Sequence, residues 1–162
     1  TAEVEKSKNY PVRSFYCNLY QQYAGFEKNG EMRFTPPVQT VYAAIQGLKE
    51  YYAEGEMPKH ERHLRVNRAI HEGVAKLGLK EAIKPEIQSG LVVSVLYPDD
   101  PAWDFGKVHD YCYERGFTIY PGKISSSGTF RLCSLGAIDE SDIKDFFVVF
   151  TEAFDKLGIR HE

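Results

Sequence analysis

Cysteine is scarce in this sequence. Cys17, Cys112 and Cys133 are odd in number and far apart, which suits neither a disulfide framework nor a zinc knuckle. A reducing, cytoplasmic setting is the expectation. Basic charge is scarce too: 20 Lys and Arg against 23 Asp and Glu leave a formal net charge of -3. Proteins that bind nucleic acid or anionic membranes usually meet them with a clear basic excess, so neither is expected as a partner. Long hydrophobic runs are missing as well. The longest, GLVVSVLY at 90–97, falls far short of the roughly 20 residues a membrane span needs. The opening stretch TAEVEKSKNYPV has neither an initiator methionine nor the pattern of a signal peptide, and the chain is expected to be cut from something longer. Serine elbow, phosphate loop and dinucleotide fingerprint are all wanting.

What is present is enough for one substantial core: 162 residues, 43% hydrophobic and 14% aromatic. SFYCNLYQQYAGFEKNG places Phe15, Leu19, Tyr23 and Phe26 on one helical stripe that stops at Gly30. TPPVQTVYAAIQGLKEYYAEG repeats apolar residues at Val38, Val41, Tyr42, Ile45, Leu48 and Tyr52 after a proline pair suited to a first turn. A third helix through KHERHLRVNRAIHEGVAKLG turns Val66, Ala69, Ile70, Gly73, Val74 and Leu77 inward. The period then changes. GLVVSVLYP reads as a buried strand, DFGKVHDYCYERG as a helix capped by Asp104, and FTIY and TFRLCSL as strands joined through Pro121-Gly122 and the polar loop Ser125 to Gly128. The last helix, capped by Asp139, carries a heavy stripe of Ile143, Phe146, Phe147, Phe150, Phe154 and Leu157. Helices first and then alternating strands and helices predict an α+β fold, a small antiparallel or mixed sheet with helices packed on it.

Few residues offer chemistry. His60 and His63 share a helix face but sit among Lys59, Glu61, Arg62 and Arg65 and miss the zincin spacing; a solvated face is expected, with no metal site. His71 and His109 read as ordinary hydrogen-bonded histidines. Two positions ask for an anion. Thr35 precedes Pro36 and Pro37, which remove two backbone donors and leave the threonine and the N–H groups of Val38 and Gln39 at a helix start; an ordinary threonine cap is the alternative. Arg131 is a permanent cation inside the apolar strand TFRLC, a placement that costs several kcal/mol, on the order of a small domain's whole stability, unless an anion meets it. That anion is either a ligand or one of the domain's own carboxylates.

MRFTPPVQTVYA, GFTIYPGK and FRLCSLG, in that order, resemble the C-terminal third to half of the class V, fold-type I aminotransferases. Within them the phosphonate branch, which transfers the amino group of 2-aminoethylphosphonate to pyruvate, is the nearest in pattern, over essentially the whole chain. The resemblance implies a pyridoxal 5'-phosphate enzyme, normally a homodimer, whose small-molecule substrates are 2-aminoethylphosphonate and pyruvate. It further implies that Arg131 binds the acidic group of the substrate and that Thr35 reaches the cofactor phosphate of the neighbouring subunit. By the same likeness residues 1–36 are a remnant of the large-domain side and a linker, and residues 37–162 are the C-terminal small domain. In the likeness Cys133 stands where related sequences usually have glycine, a bulkier neighbour for Arg131; Met32 stands where the alanine–glyoxylate branch has tyrosine, and this favours the phosphonate branch. The family's cofactor-binding lysine and the acidic partner of the pyridine nitrogen fall before Thr1 in the likeness. No lysine here matches that motif, so no catalytic residue is assigned and the isolated chain is expected to be inactive. Another class V aminotransferase, of alanine–glyoxylate or serine–pyruvate type, and a non-catalytic ligand-binding domain of the same architecture are the competing readings. Whether Arg33 and Lys123 touch substrate stays open at this point.

Overall fold

The change of hydrophobic period near residue 90 is a change from helix to strand. A computed structural model describes residues 1–122 and 127–161; Lys123 and the first half of the Ser125 to Gly128 loop lie outside the described residues. The elements are α1 (Ala2–Lys6), α2 (Leu19–Asn29), α3 (Val38–Glu54), α4 (Glu56–Lys76), β1 (Val92–Leu96), α5 (Phe105–Tyr113), β2 (Tyr120–Pro121), β3 (Thr129–Cys133) and α6 (Glu140–Leu157), with short 3-10 turns at Ser7–Asn9 and Pro85–Ile87. No helix among the described residues is long and apolar enough to cross a membrane. The expected α+β architecture is what forms, and the sheet is wholly antiparallel.

Residues 1–50 and 51–162 form two compact units. In the first, α2 starts at Leu19 and not at Phe15, because the Asn18 side chain caps it by accepting the Gln21 N–H. Gly30, with φ 72°, ends it in the left-handed conformation that glycine adopts at no steric cost. Phe15 lies outside the helix and packs edge-on against Phe34. None of the first unit's residues is buried. The α3 stripe of Val38, Val41, Tyr42, Ile45 and Leu48 forms as a helix but is exposed.

The second unit holds the core. Strand order is β1-β3-β2, with Val93 facing Leu132 and Val95 facing Phe130 in the β1–β3 register. The segment around Glu81 lies along the outer edge of β1, where Leu96 N–H donates to Lys80 O and Ala82 N–H to Ser94 O, both at 2.8 Å. Of FTIY only Tyr120 joins a strand, together with Pro121. Ile119, just ahead of this short strand, is buried in the core. Ile70 and Val74 of α4, Val108 and Cys112 of α5, and Phe150 and Phe154 of α6 close over Val93, Val95, Phe130 and Leu132. Each fully buried side chain of this kind contributes roughly 1.5–3 kcal/mol. α4 and α6 approach so closely that a Cβ on Gly73 would lie 2.2 Å from the Phe147 ring. At the start of α6 Asp139 accepts the Ser141 and Asp142 N–H groups while the Asp142 carboxylate accepts the Asp139 N–H, a reciprocal capping box.

Candidate acid-binding site

Side chains alternate across a strand. With Phe130 and Leu132 buried in the core, Thr129, Arg131 and Cys133 emerge on the other face of β3. Arg131 stands in the central strand, opposite Ser94 of β1 on one side and Tyr120 of β2 on the other. The β1–β3 hydrogen bonds run from Tyr97 N–H to Gly128 O and from Ser134 N–H to Leu91 O. Alternation then makes Ser94 and Arg131 a non-hydrogen-bonded pair, the kind whose side chains lie closer together. A serine, a guanidinium and a phenol therefore form one row across three strands.

Arg131 Nε is buried and has no hydrogen-bond partner. No carboxylate among the described residues pairs with the guanidinium. Leaving a buried donor unmet costs about 1–3 kcal/mol, and no contact among the described residues offsets that cost at Nε. Its field is felt nearby: burial pushes the Cys133 thiol up, and the Arg131 charge pulls it partly back. Tyr120, Arg131 and Cys133 line a pocket of about 500 Å³ together with Phe117, Ile143 and Phe146. Asp142 lines it as well, so the pocket combines an apolar wall with one cationic and one anionic residue, the mostly apolar lining with a few polar groups that small-ligand sites have.

Thr35 belongs to the first unit, where it is exposed ahead of α3. One expectation about its surroundings is corrected. The Val38 N–H is not free to meet an anion, because the turn formed by the proline pair brings Pro36 O within 2.9 Å of it. Arg33 is also accounted for within that unit: it packs on the Phe15 and Phe34 rings at 4.4 and 5.2 Å and donates to Phe15 O. Lys123 lies outside the described residues. The histidines behave as polar residues of the scaffold. His63 Nδ1 lies 2.7 Å from Ser134 O, His71 sits between Glu81 and Asn67, and His109 pairs with Asp110. The described residues contain no cluster of His, Cys, Asp or Glu able to hold a metal ion. All three cysteines are free, and burial drives the Cys112 thiol up to about 11.

Tyr120 and Ser94 were not singled out by the sequence. Tyr120 sits in the YPGK stretch and Ser94 interrupts an apolar strand. Only the strand register makes them neighbours of Arg131.

Curated proteins resemble this chain in sequence. A 2-aminoethylphosphonate–pyruvate transaminase of Burkholderia lata is 35% identical over 147 residues, which is 90% of this chain and 40% of the relative. One of Phocaeicola vulgatus is 39% identical over 132 residues, 80% of this chain and 36% of the relative. Over most of its length the chain is similar in sequence to 2-aminoethylphosphonate–pyruvate transaminases. It spans about 40% of the length of the relatives it matches. No family model matches it. Solved structures agree on the fold. The ureidoglycine–glyoxylate aminotransferase of Bacillus subtilis superposes with a TM-score of 0.81 at 19% identity over 99% of this chain and 42% of its own. The pyridoxamine–pyruvate aminotransferase of Mesorhizobium loti gives 0.81 at 20% identity, with the same two coverages. Arg131 is thus a cation without a carboxylate partner among the described residues, in a chain similar to these transaminases.

Proposed function

We propose that this chain supplies the acid-binding part of a pyridoxal 5'-phosphate aminotransferase that converts 2-aminoethylphosphonate and pyruvate to phosphonoacetaldehyde and alanine. The observation that carries this reading is Arg131, a half-buried cation with a buried, unpartnered Nε on the strand face turned away from Phe130 and Leu132. A planar guanidinium presents parallel donors to either a phosphonate or a carboxylate. One arginine can therefore hold the amine substrate in the first half-reaction and the keto acid in the second, and fix the orientation of each. Phe117, Ile143 and Phe146 line the same pocket, and an ion pair is stronger beside apolar groups than in bulk water.

The cofactor, when bound, supplies the electron sink that lets the amino group leave one carbon skeleton and join another. Of the residues present, Thr35 fits its phosphate: an exposed hydroxyl at the start of the 17-residue helix α3, where the positive end of the helix dipole favours an anion. In this reading Thr35 acts on the cofactor of a partner subunit, residues 1–36 are the large-domain side and linker, the enzyme is a cytoplasmic homodimer, and no lysine of this chain holds the cofactor.

The test is alanine formation from 2-aminoethylphosphonate and pyruvate by the transaminase carrying this part, with Arg131→Ala alongside. Removing one partner of a desolvated charge pair costs about 2–5 kcal/mol, so the specificity constant of both half-reactions falls very roughly 30-fold to several thousand-fold, while cofactor absorbance is unchanged. Normal turnover in a protein with a lowered melting temperature would show Arg131 to be structural and overturn the reading.

A further inference from the structure

Arg131 alone treats a phosphonate and a carboxylate alike, because its fork meets two oxygens and both acids offer two. A phosphonate has a third. Across the three-stranded row the neighbours of Arg131 differ in reach. Ser94 is 9% exposed and its hydroxyl stands close to the backbone of β1. Tyr120 is 56% exposed, and a tyrosine oxygen stands as many bonds from its Cα as the terminal guanidinium nitrogens do from theirs. Directly opposite residues on one face hold their Cβ atoms about 5 Å apart, so the two side chains start side by side and have the same reach. Both line the 500 Å³ pocket, whereas Ser94 does not. A phenol O–H donates as well as accepts, and the structure shows no hydrogen bond of the Tyr120 hydroxyl to any described residue.

We infer that Tyr120 is a specificity-determining residue of the acid subsite: its hydroxyl donates to the third oxygen of a tetrahedral phosphonate held on the Arg131 fork and contributes nothing to a planar carboxylate. The inference rests on the reading of Arg131 as the acid-binding group. It gives the YPGK stretch a task, and it makes the preference for a phosphonate amine over an amino acid a property of the edge strand β2, not of the central arginine.

The probes are methylphosphonate and acetate, titrated into the 162-residue chain and followed by amide chemical shifts, for the wild type, Tyr120→Phe and Arg131→Ala. The phenylalanine variant keeps the ring of a largely exposed residue, so its fold is retained and its spectrum reports that directly. A hydrogen bond to a charged group is worth about a tenfold change in affinity or somewhat more. Tyr120→Phe is expected to weaken methylphosphonate about tenfold and to leave acetate within about twofold, while Arg131→Ala loses both. If Tyr120→Phe leaves methylphosphonate unchanged, or weakens both probes equally, while Arg131→Ala still loses both, the assignment of Tyr120 is wrong and the reading of Arg131 stands. Equal binding of both probes by Arg131→Ala and the wild type, or no methylphosphonate binding by the wild type, overturns the two together.

Discussion

Helices α3 and α6 have almost the same length, 17 and 18 residues, and each carries an apolar stripe. Their fates are opposite. Phe150 and Phe154 of α6 are fully buried, while on α3 Val41 is 49% exposed and Leu48 53%. Both stripes follow the helical period, so the period states only that a face is apolar. What covers it is decided by partners: α6 finds α4, α5 and the sheet, whereas the first unit buries none of its residues. A face of this size left open is characteristic of a surface that meets another protein part.

The largest break in this contrast comes from Phe150. It packs against Phe130, Phe146 and Phe154, and Phe150→Ala is expected to destabilise the second unit by about 3–5 kcal/mol, read as a fall in the denaturant midpoint. A variant within 1 kcal/mol of the wild type would mean that the core is not where it is placed. Gly73→Leu comes next. The close approach of α4 to the Phe147 ring makes this an overpacking change of about 1–3 kcal/mol, measurable by the same melt.

Glu54 gives a smaller, pH-dependent effect. Arg62 donates to it through Nε at 2.6 Å and through a second nitrogen at 3.1 Å, and also to Gly136 O and Ile138 O. This hydrogen bonding, ahead of the opposing cost of burial, holds the Glu54 carboxyl below its ordinary value of 4.5. A carboxyl whose folded value is depressed stabilises the fold above its ordinary value and ceases to do so as pH falls through the folded one. The melting temperature should therefore drop below about pH 4.5 less steeply in Glu54→Gln than in the wild type, and parallel profiles would remove Arg62 as the cause. The smallest effect on stability is expected at Ile45, on the open face of α3. Ile45→Lys should change the melt by less than about 0.5 kcal/mol and yet reduce self-association in light scattering at high concentration. A large loss of stability there would mean that the α3 stripe is covered after all.

Much of this was legible in the sequence because it depends on local rules. Asp104, Asp139 and Gly30 mark helix ends by capping chemistry that acts within a turn, and the aromatic stripe of α6 pointed to the core. Arg131 was conspicuous because a cation in an apolar strand has a cost. The remainder depends on contacts far apart in the chain. FTIY has strand composition, yet only Tyr120 pairs, while Ile119 is buried in the core. Phe15 fits the helical stripe, yet the Asn18 cap starts α2 beyond it. The row of Ser94, Arg131 and Tyr120 exists only once β1, β3 and β2 are in register, and no local signal fixes a register between strands so widely separated.

The account turns on Arg131 Nε being left unpartnered within the protein because a ligand acid meets the guanidinium. The direct measurement is the Nε–H resonance of Arg131 in 15N spectra during titration with methylphosphonate, assigned by its loss in Arg131→Lys. The account predicts a saturable shift of that resonance with a common midpoint for amides of β2 and β3, and none in the lysine variant's remaining arginines. A resonance that does not move while the chain stays folded would contradict it.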